Sequence, residues 1–219
     1  MTERLLRLLQ LSSPALPIGA FHFSQALEYA VHAQWVRDEA TAQDWIGGLA
    51  QHALGTLDLP VLARLHAAWT ADDSRTAERW NAFLTAARES EELRLQDRHT
   101  GNALQKILVE LGLLEAAQPD RYGYAAMFAL ACARWGISMA ETLQAYAWAL
   151  AENQVLAAVK LVPLGQTAGQ RILHALIPML ALLSESALSV DDDCLGVCAV
   201  MHGIGSARHE TQYTRLFRS

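Results

Sequence analysis

The sequence predicts an all-α fold, a single-domain helical bundle of about ten helices. Alanine and leucine dominate, while β-branched runs and Asn-Gly turns are missing. Apolar residues recur at helical spacing along most of the chain. Hydrophobic residues make up 52% and charged residues 18% of 219 residues. That balance belongs to a globular chain, long enough for one domain with a substantial core and short for two.

The first helix is expected over residues 2–11, where Arg7 and Gln10 interrupt an apolar stretch and make it amphipathic. Pro14, Pro17 and Gly19 break it. Ser24 caps a second helix reaching about residue 34. Residues 41–44 start another, to about residue 55. Asp58-Leu59-Pro60 reads as a capped start with proline just inside, for a helix ending near residue 71. Asp73-Ser74 opens the next, through residue 87. A long pattern spans residues 88–114, with Arg88 and Glu92 four apart and able to pair on its surface. Pro119-Asp120 is a break. An apolar helix covers residues 122–135 and stops at Gly136; the longest runs from Ser138 to Val162, before Pro163. Helices over residues 167–183 and 191–202 follow. No fixed-period repeat or low-complexity linker is present. Residues 1–202 thus read as the helical domain, and residues 203–219 as a polar tail of the same unit, with Gly203 and Gly205 as its hinge.

The net charge is −6 and the isoelectric point about 5.7. No basic stripe of the kind nucleic acid selects is visible. The segment of residues 145–165 comes closest to a membrane span, and Glu152, Asn153, Gln154 and Lys160 break it. Three cysteines without C-x-x-C form no disulfide framework and suit a reducing compartment. The expectation is a cytoplasmic protein with no nucleic-acid and no membrane partner.

Signatures of catalysis are missing. There is no G-x-x-x-x-G-K-[ST] loop, and Gly203-Ile204-Gly205 lacks the later glycine of a dinucleotide loop. His209-Glu210 begins like H-E-x-x-H, but Tyr213 stands where the second histidine belongs. Cys194, Cys198 and His202 fall at i, i+4 and i+8, one face of a helix. They suit soft metals, yet one helix spans roughly 12 Å over eight residues, too far to bring all three to one ion; cysteine also serves as a small hydrophobe on a buried face. The expectation is no metal site, no cofactor and no enzyme. The six tryptophans read as core or interface anchors.

Three segments stand out. Residues 12–21 form an apolar, proline-rich loop where loops are usually polar. Glu152-Asn153-Gln154 and Lys160 lie in an otherwise apolar helix, Asn153 and Lys160 on one face. Such groups line a cavity, pair internally or meet a partner, because burying them unpaired is costly. The tail carries Tyr213, Leu216, Phe217 and three arginines, a set favoured at interfaces.

These segments resemble the urease accessory protein F family. The match runs through Leu8-Leu9-Gln10-Leu11-Ser12-Ser13-Pro14-Ala15-Leu16-Pro17-Ile18-Gly19-Ala20-Phe21 and Ser24-Gln25-Ala26-Leu27-Glu28. It continues at Asp58-Leu59-Pro60, at residues 88–94, and at Val159-Lys160-Leu161-Val162-Pro163-Leu164-Gly165-Gln166. It ends on Arg208-His209-Glu210-Thr211-Gln212-Tyr213 and Leu216-Phe217-Arg218-Ser219. Ala26 replaces a usual glycine. The resemblance implies an all-α homodimer that catalyses nothing itself. Its implied role is that of an adaptor in urease maturation: it binds the D-type (or H-type) accessory protein and recruits the G-type GTPase. That assembly delivers nickel to apo-urease, and the adaptor modulates the partner's GTP hydrolysis. By the same resemblance, Glu28 and Lys160 are candidates for the face that meets the GTPase, and Gln166 is a further partner-binding candidate. Arg208, Tyr213 and Arg215 are candidates for binding the other accessory protein.

Overall fold

The computed structural model describes residues 2–218; its regular elements are all helices, with no strand among those residues. Helix α1 is Thr2–Ser12. The loop after it turns at Gly19, whose φ of 74° suits glycine, and makes one 3-10 turn at Ala20–His22. Helix α2, Leu27–His32, is held at its start by the Ser24 hydroxyl, which accepts the Glu28 N–H at 3.2 Å. Helix α3, Glu39–Leu49, opens on a reciprocal cap: the Asp38 carboxylate accepts the Thr41 N–H, and the Thr41 hydroxyl accepts the Asp38 N–H.

Beyond α3 the chain departs from expectation. A π-helical stretch, Ala50–Asp58, carries α3 directly into α4, Leu59–Thr70, so two expected helices form one continuous rod. Asp58 has helical angles and caps nothing. Its carboxylate turns inward to Arg88, 2.6 Å away. Wide π turns leave carbonyls available, and those of His52 and Thr56 accept the N–H groups of Cys198 and Gly196.

Helix α5 is Ser74–Ala86, capped by Asp73, and α6 is Glu91–Glu110, capped by Ser90. Helix α7, Tyr124–Arg134, is buried from Tyr124 through Cys132. It sits at the centre of the bundle, against α4, α5, α6 and α8. Helix α8, Met139–Leu161, begins with a capping box of Ser138 and Glu141. Tyr124 and Phe128 of α7 meet Tyr146 of α8 at ring separations of 5.5 and 5.2 Å. Helix α9, Gln166–Ser186, packs on α8 and α3. With the turn after it, α9 is long and apolar enough in composition to cross a membrane, and about a third of that stretch is buried inside the protein. The run singled out in the sequence, residues 145–165, lies mostly one helix earlier, in α8.

The chain after α9 differs most from expectation. The helix expected over residues 191–202 does not form before Val200: a short 3-10 turn at Asp192–Cys194 leads into extended chain along the π segment, to residue 199. Helix α10 is Val200–His209, so Gly203 and Gly205 lie inside a helix and form no hinge. Both glycines allow close approach instead. A Cβ on Gly203 would lie 2.8 Å from a Glu89 oxygen, and one on Gly205 would lie 3.2 Å from the Ala26 Cβ.

Candidate functional site

The site is a clasp between the C-terminal segment, α2 and α6. After α10 the chain turns back and lays residues 213–218 across the start of α2. The Glu28 carboxylate accepts the backbone N–H groups of Leu216 at 2.6 Å and Phe217 at 2.8 Å. Next to them the Arg218 N–H reaches the His22 carbonyl at 2.8 Å. Arg215 pairs with Glu92 of α6 at 2.9 Å. His209, fully buried at the end of α10, bridges the two acids: Nδ1 is 2.8 Å from Glu92 Oε2, and Nε2 is 3.1 Å from Glu28 Oε2. Ser90 and Ser206 share a buried hydrogen bond of 2.6 Å one turn away. Phe217 is buried, only 6% exposed, while Tyr213 and Leu216 project outward.

Burial opposes a charge on His209, but the hydrogen bonds its ring donates to Glu92 and then Glu28 outweigh it and raise its pKa above the ordinary 6.5. The opposite holds for His22, whose pKa is lowered by burial and by the positive charges of Arg218 and Lys160.

The loop feeding α2 is strained. Gln25 and Ala26 have φ of 49° and 69°, a region that costs a residue with a Cβ roughly 1–2 kcal/mol. The polar run of α8 holds it in place. Asn153 donates to the Phe23 carbonyl at 3.3 Å, and Gln154 to the Ser24 carbonyl at 3.0 Å and the Gln25 side chain at 3.2 Å. Glu152 accepts from the Trp148 indole at 3.1 Å instead. Asn153 and Gln154 thus bond inside the protein to the loop that leads to Glu28.

Of the six candidate residues, Glu28 is buried, 7% exposed, and turned to the chain's own tail. Lys160, at the end of α8, is exposed rather than enclosed in apolar helix. Its ammonium stands 5.7 Å from the Phe21 ring and 5.8 Å from the Phe217 ring, so it touches the clasp from outside. Arg215 belongs to the clasp. Tyr213 is wholly exposed. Gln166 begins α9 and Arg208 lies in the last turn of α10, both exposed. Ser219 lies outside the described residues. The surface pair of Arg88 and Glu92 does not form. Arg88 faces Asp58 in the interior, and Glu92 faces His209 and Arg215.

Sequence reasoning missed His209 and Glu92, because their partners lie 117 and more residues away. The apparent Cys194, Cys198 and His202 face also dissolves. Cys194 ends the 3-10 turn and Cys198 lies on extended chain, both exposed, while His202 is buried in α10. Burial, and then the nearby Arg88 charge, lower the His202 pKa to about 4, so it is neutral near pH 7. With Gln25, Asp58, Arg88 and Gln154 it lines a cavity of about 50 Å³.

The family model described as UreF matches residues 36–177, from just before α3 to the middle of α9 and short of both the proline-rich loop and the tail. Full-length relatives extend the likeness to both. The urease accessory protein UreF of Alkalilimnicola ehrlichii is 48% identical over 97% of this chain and 95% of its own length. The protein of the same name from Teredinibacter turnerae is 44% identical over the whole of both chains, and that of Chromohalobacter salexigens 44% over 97% and 93%. With a matching family model over more than half its length and relatives this similar from end to end, the chain belongs to the UreF family of urease accessory proteins.

Proposed function

We propose that this chain is the adaptor of urease maturation: it binds the D-type (or H-type) accessory protein, recruits the G-type GTPase, and presents both to apo-urease for nickel insertion. The clasp carries the reading. It fixes one flank of the tail inside the protein and leaves Tyr213 and Leu216 bare on the other, 103% and 71% exposed. A large aromatic and a leucine held outward on an ordered backbone are anchors whose ordering entropy is already spent before binding. Residues 203–219 thus act as a docking element within the same structural unit as residues 1–202. Lys160 stands beside the docked Phe217 ring, so one surface suits both partners, with Tyr213 and Arg208 toward the accessory protein and Lys160 and Gln166 toward the GTPase. In this reading Glu28 acts by holding the tail, not by touching the GTPase. The chain performs no covalent step, nickel is cargo passing to urease, and the adaptor modulates GTP hydrolysis by the partner. It works in the cytoplasm.

The homodimer also has support on the molecular surface. The outer side of α8 and α9 carries a groove of about 280 Å³ lined by Gln144, Trp148, Ile177, Leu180 and Ala181, with Leu182 exposed on the same helix. A second copy would bury it. Sedimentation of the Ile177→Asp variant tests this, with a monomer expected.

The test of the adaptor is reconstitution. The tagged chain is expected to retain the D-type accessory protein, and the GTPase only when both are present. Retention of neither partner would overturn the proposal.

A further inference from the structure

We propose that His209 is a pH-operated latch: protonated on both ring nitrogens it ties α2, α6 and the tail together, and on losing one proton it frees residues 213–218. The inference rests on the geometry of the clasp and stands whether or not the adaptor reading does.

Both ring nitrogens of His209 point at carboxylate oxygens, at 2.8 and 3.1 Å. An ionised carboxylate offers only lone pairs, and a neutral imidazole has one N–H and one lone pair. Only the imidazolium satisfies both contacts. Once it loses a proton, one contact becomes lone pair against lone pair inside the protein. The same two acids hold the tail, since Glu28 takes the N–H groups of Leu216 and Phe217 and Glu92 takes Arg215. Glu28 Oε2 serves His209 and Phe217 at once. With the imidazolium, two acids face two cations. Without it, two buried acids share Arg215 alone, which is 40% exposed. Releasing the tail is the direct relief, because it opens Glu28 to water.

Other charged groups around the latch do not replace its proton. On α6, Glu91 engages Glu210 through its backbone N–H. Glu89, just before that helix, lies against Gly203. Arg208 and Glu210 at the end of α10 are exposed. On α8, Lys160 faces the Phe21 and Phe217 rings. Arg218 and Lys160 together depress the His22 pKa, so His22 titrates on the acid side of 6.5 and His209 on the alkaline side. Because the folded pKa of His209 is raised, its hold on the tail is complete below about 6.5, the unfolded value, and is lost as pH climbs through the folded value.

Nuclear magnetic resonance on the full chain tests the latch. The ring resonances of His209 and the amides of Leu216 and Phe217 are followed from about pH 6 to about pH 9. The ring is expected to titrate above about 6.5, and both amides to shift with the same midpoint. Their solvent exchange is expected to accelerate about tenfold beyond the intrinsic rise. In His209→Gln, whose amide has one donor and one acceptor group at every pH, the shift of both amides with pH is expected to disappear. The proposal is overturned if the amides stay protected while His209 titrates, or if the ring does not titrate in this range. It is overturned equally if the amide transition persists in His209→Gln. Should that variant not fold, the wild-type titration alone decides.

Discussion

Replacing Glu28 by alanine removes the acceptor of three donors at once: the Leu216 and Phe217 backbone N–H groups and the His209 ring. If the tail stayed seated, each orphaned N–H would cost about 1–3 kcal/mol. An unpaired buried charge on His209 would add about 3–5 kcal/mol. The protein has a cheaper response. Residues 213–218 can undock, giving up the burial of Phe217, about 1.5–3 kcal/mol, together with the Arg215–Glu92 pair, while the backbone entropy regained offsets part of that loss. His209 can meanwhile lose its charge. The loss of stability is therefore capped, and we expect about 2–4 kcal/mol. For a chain of this length that lowers Tm by about 5–12 °C. Glu28→Gln keeps the shape and one acceptor oxygen and is expected to lose about half as much. Thermal unfolding followed by circular dichroism near neutral pH measures both, and hydrogen exchange at Leu216 and Phe217 reports the tail. A Glu28→Ala protein that melts within about 2 °C of the parent with both amides still protected would refute the reasoning.

Other expectations follow from the same contacts. Lys160→Ala is expected to lower stability by under about 1 kcal/mol, the range of exposed cation–π contacts, while urease activation in a reconstituted assay falls severalfold; a large drop in Tm would place the lysine in the fold instead. Arg88→Met strands the buried Asp58 carboxylate and is expected to destabilise by about 3–5 kcal/mol in chemical denaturation; a change under about 1 kcal/mol would mean that the pair contributes little. Ala26→Gly relieves a φ of 69° and is expected to stabilise by up to about 1 kcal/mol. Gly205→Ala crowds the Ala26 Cβ and should destabilise by about 1–2 kcal/mol; equal melting temperatures for these two variants would contradict the packing described. Purified chain is expected to hydrolyse GTP no faster than background, since no G-x-x-x-x-G-K-[ST] loop is present to cradle a triphosphate.

Helices were legible wherever local chemistry decides them. The Ser138 and Glu141 box and the Asp73 cap start α8 and α5 where the residue types say they should. Local rules misled where distant partners win. Asp58 and Pro60 read as a helix start, but Asp58 is drawn inward by Arg88, thirty positions on, and the π segment carries the rod through. Arg88 and Glu92 satisfy the four-residue rule for a surface pair, yet each has a stronger partner across the bundle. Asp191 to Asp193 look like a helix cap, but the chain beyond them bonds to the carbonyls of the π segment and stays extended. Gly203 and Gly205 suggested a hinge because glycine signals freedom; here they are the spots where α10 touches Glu89 and Ala26. The tail's anchors were visible as residue types, but not their division, with Phe217 turned inward and Tyr213 outward. That division depends on Glu28, 189 positions away, accepting the Phe217 N–H, which no local pattern encodes.

The most direct test of the central claim uses Tyr213, whose side chain is fully exposed and can be removed without disturbing the clasp. The measurement is the Kd of the D-type accessory protein for the parent chain and for Tyr213→Ala, alongside both melting temperatures. An ordered anchor worth about 2 kcal/mol predicts an affinity about thirtyfold weaker with Tm unchanged. Equal affinities in two equally stable proteins would contradict the account and place the partner's contact elsewhere on the molecule.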